Sequence, residues 1–166
     1  AEWYDKTYMT QYLASSLMQE NGIPCFESKH VFVYLNGSFH GIYLMIENID
    51  KKFIASRFEN RVGNLYKATK DGACFNDASE VAKLWEKKTN KKDLSREDLK
   101  TLITSLNKLS VKDSYKFYKT NFDYDQLLTL VALNILTGNK STYYHNYYML
   151  NDFEKRKWNM IPWDMD

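Results

Sequence analysis

The dipeptide Asn36-Gly37, set between two β-rich runs, constrains the fold more than any other feature of the chain. Val31-Phe-Val-Tyr-Leu35 precedes it, and Phe39-His-Gly-Ile-Tyr-Leu-Met-Ile-Glu47 follows across Ser38. A tight turn that needs positive φ at both central positions selects Asn-Gly, because these residues tolerate that conformation best. An antiparallel hairpin is therefore expected over residues 31–47, which excludes an all-helical chain. Asn146-Tyr-Tyr-Met-Leu150 and Trp158-Asn-Met-Ile161, flanking the polar run Asn151 to Lys157, predict a second hairpin.

Helical spacing fills much of the remainder. Tyr4, Tyr8, Met9, Tyr12, Leu13, Ser16 and Leu17 predict a one-faced helix from residue 3 to about 20, stopped by Asn21-Gly22 and Pro24. Asp50 is placed to cap a short helix through Phe58, and Gly63 to Ala68 reads as a brief strand. Residues 79–88 and 95–109 read as two further helices, the second opened by Ser95 with Asp98 at capping-box spacing. Lys87, Lys88, Lys91 and Lys92 then read as a solvated connection. Residues 123–137 are apolar nearly all round and end at Gly138, the pattern of a buried central helix.

The fold class that results is α+β, with antiparallel hairpins and a mainly helical part. Its 166 residues suit one domain, and a net charge of +2 gives no field that would favour nucleic acid. No apolar run reaches transmembrane length, so no membrane insertion is expected. Cys25 and Cys74 have no metal-ligand spacing and are either one disulfide or two thiols. The chain opens inside a helical pattern and stops just after a strand-like run, as a piece cut from a longer domain does.

The last third runs buried helix, polar loop from Gly138 to His145, hairpin, then Pro162-Trp-Asp-Met-Asp166. In protein kinases a helix leads to a catalytic loop whose Asp handles the substrate hydroxyl. An Asn five residues on binds magnesium, and a hairpin leads to a second metal-binding Asp. Here Asn146 lies five positions after Ser141, and Asp164 follows the hairpin. Magnesium wants hard oxygen ligands, and an amide oxygen with a carboxylate supplies them. Asn146 and Asp164 are thus candidate co-ligands, with Asp166 as a further acid. The plain alternative is that Asn146 starts a strand and the two acids lie on the surface.

Several strings resemble signatures of the CotH family of spore-coat and secreted protein kinases. They are Leu35-Asn-Gly37 with Gly41-x-Tyr43 and Glu47, Gly63-Asn-Leu-Tyr-Lys67, Gly138-Asn139 with His145-Asn-Tyr-Tyr148, and Trp158-x-x-Ile-Pro-Trp-Asp-x-Asp166. The resemblance implies a single atypical protein-kinase-like domain over 1–166, incomplete at both ends, with 1–68 in an N-terminal lobe and 69–166 in a helical lobe. It implies ATP, magnesium or another divalent cation, and phosphorylation of Ser or Thr on coat or other extracytoplasmic proteins. Location in the spore coat or outside the cell goes with it. Position by position, Asn146 and Asp164 match the metal-binding pair, and Trp158 matches an adenine-stacking aromatic. Lys67 would meet phosphate, and Glu47 would position a cation or the nucleotide; each is otherwise a surface charge at a strand end.

One position departs from the pattern. Where relatives carry an Asp after Gly-Asn and one further residue, this chain has Ser141, whose hydroxyl is no base at neutral pH. A catalytically weakened kinase and a pseudokinase serving as a non-catalytic interaction module of a coat or surface assembly both follow. A hydrolase using Ser141 and His145 is a third reading, without the glycine pattern of a nucleophile elbow.

Overall fold

The computed structural model describes residues 5–59 and 62–165. It is a mixed α+β structure with two separate antiparallel sheets. The first sheet is the expected hairpin. Strands β1 (Ser28–Leu35) and β2 (Ser38–Ile46) pair from Ser28↔Ile46 to Leu35↔Ser38, with a bulge between Val33 and Tyr34. Asn36 and Gly37 take φ of 50° and 83°, the left-handed pair that the turn demands.

The second sheet positions everything that follows. Strands β3 (Gly63–Ala68), β4 (Trp85–Lys87), β5 (Tyr147–Asp152) and β6 (Lys157–Pro162) lie in the order β4-β3-β5-β6. Because β3 pairs directly with β5, this sheet crosses the 68/69 divide that the sequence suggested. Strand alternation then sorts the side chains. Leu65, Tyr148, Leu150 and Ile161 share one core with Met18, Phe26, Phe53 and Leu130, whereas Tyr66, Tyr147, Met149 and Trp158 share another with Trp85, Leu99 and Ile103. Gly63 is required where β3 and β5 meet, since a Cβ there would stand 2.4 Å from the Asn151 carbonyl oxygen.

Among the described residues there are six α-helices: α1 (Thr10–Glu20), α2 (Lys51–Arg57), α3 (Val81–Leu84), α4 (Glu97–Asn107), α5 (Val111–Asn121) and α6 (Tyr124–Thr137). Asp50 caps α2 as expected, accepting from the Lys52 amide at 2.7 Å. The first helix starts later than its apolar spacing predicts. Asp5 accepts from the amides of Met9 at 2.8 Å and Thr10 at 2.7 Å, and Tyr8 sits at φ 56°, so a capped turn replaces the helix over residues 5–9. Residues 3 and 4 of that expected helix lie outside the described residues.

Four other expectations are corrected by packing. The helix expected over 79–88 is cut short at Leu84, because Trp85–Lys87 pairs with β3 as an edge strand. Lys87 is buried rather than solvated: its ammonium donates at 2.9 Å each to the Asp93 carbonyl and carboxylate and to the Ser95 carbonyl. Asp98, expected in a capping box, turns inward and accepts from Asn64, Tyr66 and Asn151. Helix α6 is also less enclosed than its all-round apolarity suggests. It buries Leu130, Leu133 and Asn134, while Ile135 and Leu136 stand 72% and 75% exposed. Helix α5, unforeseen, is a polar helix capped by Ser110 that buries no side chain fully but packs Phe117 and Tyr118, half-buried, against the second core.

Candidate functional site

The loop after α6 is built by amides and hydroxyls. Gly138 takes φ 69° and ends the helix, so the chain turns at once into Asn139. The Asn139 side-chain amide donates to buried Asn134 Oδ1 at 3.1 Å and to buried Thr142 Oγ1 at 2.7 Å. Its oxygen accepts from Ser141 Oγ at 3.1 Å. The backbone amides of Tyr144 and His145 both reach the Ser141 carbonyl at 3.0 Å, which closes a tight turn ahead of Asn146. Polar pairing alone fixes this loop, since Tyr143 and Tyr144 are exposed.

Three of the sequence candidates converge where β5 begins and β6 has just ended. Asn146 Nδ2 donates to the Asp164 carbonyl at 3.4 Å, and Ser141 Oγ reaches the same carbonyl at 3.3 Å. The Trp163 amide donates to the Asn146 carbonyl at 3.1 Å, so the two ends of the hairpin are tied through backbone as well. Asn146 and Asp164 hold φ of 60° and 52°, in the left-handed region that Asn and Asp tolerate better than most side chains. With its amide nitrogen turned to Asp164, Asn146 keeps its side-chain oxygen for another partner. An amide oxygen beside an aspartate is a hard-oxygen donor set that suits a magnesium ion. Asp166 lies outside the described residues.

Lys67 belongs to the same side of the sheet. It pairs with Tyr148 across β3 and β5, and its ammonium stands 5.6 Å from the Tyr148 ring centroid and 5.1 Å from that of Trp163. Trp163 meets Tyr148 and Phe26 edge-on at 5.8 and 5.2 Å. Tyr148 and Trp163 lie inside the signature strings quoted above, yet no role was read for either from its residue type. The cross-strand pairing of Lys67 with Tyr148, and the place of Trp163 just past β6, are what bring the three together.

Trp158 and Glu47 stand apart. Trp158 is 7% exposed, near the turn end of the hairpin and on the opposite sheet face, packed with Tyr66 at 6.4 Å between ring centroids. Glu47 is held by Arg57 through two hydrogen bonds of 3.0 and 2.5 Å and accepts from the Glu27 amide at 3.0 Å. It lines a cavity with Cys25, Ser56 and Arg57. Both cysteines are free thiols, and burial pushes the Cys25 thiol up to about 12, so it is an inert core residue. His145 Nδ1 lies 2.9 Å from an Asp71 carboxylate oxygen, an ion-pair distance without the alignment of a hydrogen bond. No helix among the described residues is long and apolar enough to cross a membrane.

An α+β core thus joins a polar loop, an Asn and an Asp across one hairpin. The chain belongs to the CotH family: the profile described as CotH kinase protein matches residues 1–166. It is similar to the inner spore coat protein H of Bacillus subtilis (strain 168), at 28% identity over 175 aligned positions. That match takes in 100% of this chain and 48% of the relative, so the chain spans about half the relative's length.

Proposed function

We propose that this chain carries the metal-binding end of a CotH-type phosphotransferase, an atypical protein kinase of the spore coat or cell exterior. Its substrates would be ATP and Ser or Thr side chains of coat or other extracytoplasmic proteins. The observation that carries the reading is the junction of Asn146 and Asp164, tied at 3.4 Å across the two ends of one hairpin. A divalent cation bound there would draw together and neutralise the phosphates of ATP. The chain's own part is to bring the two residues together just outside the ends of one hairpin, with Lys67 offering positive charge on the same sheet face. Family membership and the spore-coat name of the relative support both the chemistry and the location.

A second reading has its own observation. Ser141 Oγ spends its hydrogen on Asn139 or Asp164 and carries no negative charge with which to take a proton from an incoming hydroxyl. A non-catalytic module of the coat, keeping the nucleotide site but transferring little phosphate, follows from that. Calorimetric titration of ATP with and without magnesium tests the shared premise. Magnesium-dependent binding lost in Asp164→Asn is the expected result, and binding indifferent to magnesium or to that substitution overturns it. Transfer of radiolabelled phosphate to a coat-protein extract then separates the kinase from the module.

A further inference from the structure

Lys67 is a cation held by rings rather than by a carboxylate. Its cross-strand neighbour on β4 is Glu86, yet Glu86 pairs with Lys88 at 3.1 Å. Among the described residues no acid lies within ion-pair distance of Lys67, while two aromatic centroids lie within 6 Å of its ammonium. The distinction matters chemically. A carboxylate partner would neutralise the charge, whereas an aromatic face fixes the ammonium and leaves its positive charge for an anion.

Trp163 connects that cation to the candidate metal site. Its ring is wedged between Phe26 of the core and Tyr148 while facing Lys67, and its backbone amide is bonded to the Asn146 carbonyl. The next residue is Asp164. A single residue therefore sets both where the ammonium stands and how the Asn146–Asp164 junction is strung.

We propose that Trp163 is a positioning residue that holds the Lys67 ammonium, on its ring and that of Tyr148, as the contact for the triphosphate of a nucleotide bound at the Asn146–Asp164 junction. This rests on the phosphotransferase reading and deepens it, because it names what aims the lysine that the family resemblance sets against phosphate.

The test uses inorganic tripolyphosphate and ATP as probes, each with and without magnesium, by calorimetry on the full chain and its variants. Lys67→Met and Trp163→Leu should each weaken tripolyphosphate binding roughly tenfold, as expected for loss or misplacement of one partly desolvated cation. The double variant should lose no more than either single one, since both changes remove the same contact. Trp163→Phe, which keeps a ring, should stay within about threefold of the parent. A second readout needs no ligand. The Lys67 ε-methylene protons should resonate upfield under two rings and move back in Trp163→Leu.

Trp163→Leu binding like the parent, multiplying losses in the double variant, or an unmoved Lys67 resonance would each overturn the proposal. Lys67→Met decides the matter if Trp163→Leu does not fold, because Lys67 is only half-buried and its loss leaves the core intact. If the parent chain binds neither probe, the phosphotransferase reading falls together with this one. If Asp164→Asn abolishes magnesium-dependent ATP binding while Lys67→Met leaves it unchanged, only the role given to Lys67 and Trp163 is lost.

Discussion

Asn146 donates its side-chain amide to the backbone carbonyl of Asp164, and both residues hold left-handed backbone conformations, at φ 60° and 52°. Two residues of this kind in one contact tie backbone shape to side-chain chemistry, and substitutions can pull the two apart. Asn146→Gly keeps the left-handed conformation at no steric cost and removes the oxygen. Asn146→Ala removes the oxygen and strains the backbone, by about 1 kcal/mol. Magnesium-dependent ATP affinity should fall alike in both, while thermal unfolding shows Asn146→Ala the less stable. Equal affinity in Asn146→Gly and the parent would sink the ligand role.

Asp98 is the polar centre of the other end of the sheet. Its carboxylate accepts from Tyr66 Oη at 2.6 Å, Asn64 and Asn151 Nδ2 at 2.9 Å each, and the Leu99 amide at 2.9 Å. Burial alone would raise its pKa, but the donors outweigh burial and hold it below the ordinary 3.8. A depressed folded pKa stabilises the protein fully above the unfolded value, and that stability is lost as pH falls through the folded one. Urea unfolding should therefore show stability that is flat above about pH 5 and declines below the unfolded value near 3.8. Asp98→Asn turns one acceptor into a donor facing other donors. It should cost about 2 kcal/mol at neutral pH and flatten the acid limb, and a variant with an unchanged limb would refute the assignment.

Gly63 tests how closely β3 and β5 approach. A methyl group there would meet the Asn151 carbonyl oxygen at 2.4 Å, and that oxygen belongs to a strand paired on both sides. Neither strand can retreat without breaking its other ladder. Gly63→Ala is expected to lower stability by about 3 kcal/mol, read as a shift in the denaturation midpoint with an unchanged slope. A loss of only a few tenths would mean that the strands stand further apart.

Local signals were legible in the sequence and non-local ones were not. Asn36-Gly37 and Asp50 act on their own neighbours, so residue type alone disclosed the first hairpin and the cap of α2. That Asn146 and Asp164 come together was legible because they flank a single hairpin. Asp98 illustrates the converse. Its capping-box spacing invited a local reading, while its partners Asn64, Tyr66 and Asn151 lie on two strands distant in sequence. Lys87 looked solvated among other lysines, yet the loop that folds back over it supplies three acceptors. Trp158 and Trp163 are alike as residues, yet Trp158 packs with Tyr66 on one face of the sheet and Trp163 with Tyr148 and Phe26 on the other. Helix α5 gave only a short apolar signal, since of its side chains Phe117 and Tyr118 alone pack against the core, and only half-buried.

Ser141→Asp asks whether the missing carboxylate limits phosphotransfer. In the complete parent domain the substitution should raise transfer of radiolabelled phosphate, since a positioned acid or base contributes roughly 10²- to 10⁴-fold to rate. The surroundings predict a cost as well. Ser141 donates toward Asn139 Oδ1 and the Asp164 carbonyl, and a carboxylate can donate to neither. It would be repelled by both oxygens. Thermal stability should fall by about 1 kcal/mol, the size of a lost hydrogen bond, while the Asn139 contacts to Asn134 and Thr142 keep the loop in place. Affinity for magnesium and ATP should change little, because Asn146 and Asp164 are the same in both versions. The comparison that decides is with Asp164→Ala in the same background. Should Ser141→Asp transfer no more phosphate than that variant, position 141 is not the limiting defect, and the coat-module reading takes precedence over the kinase.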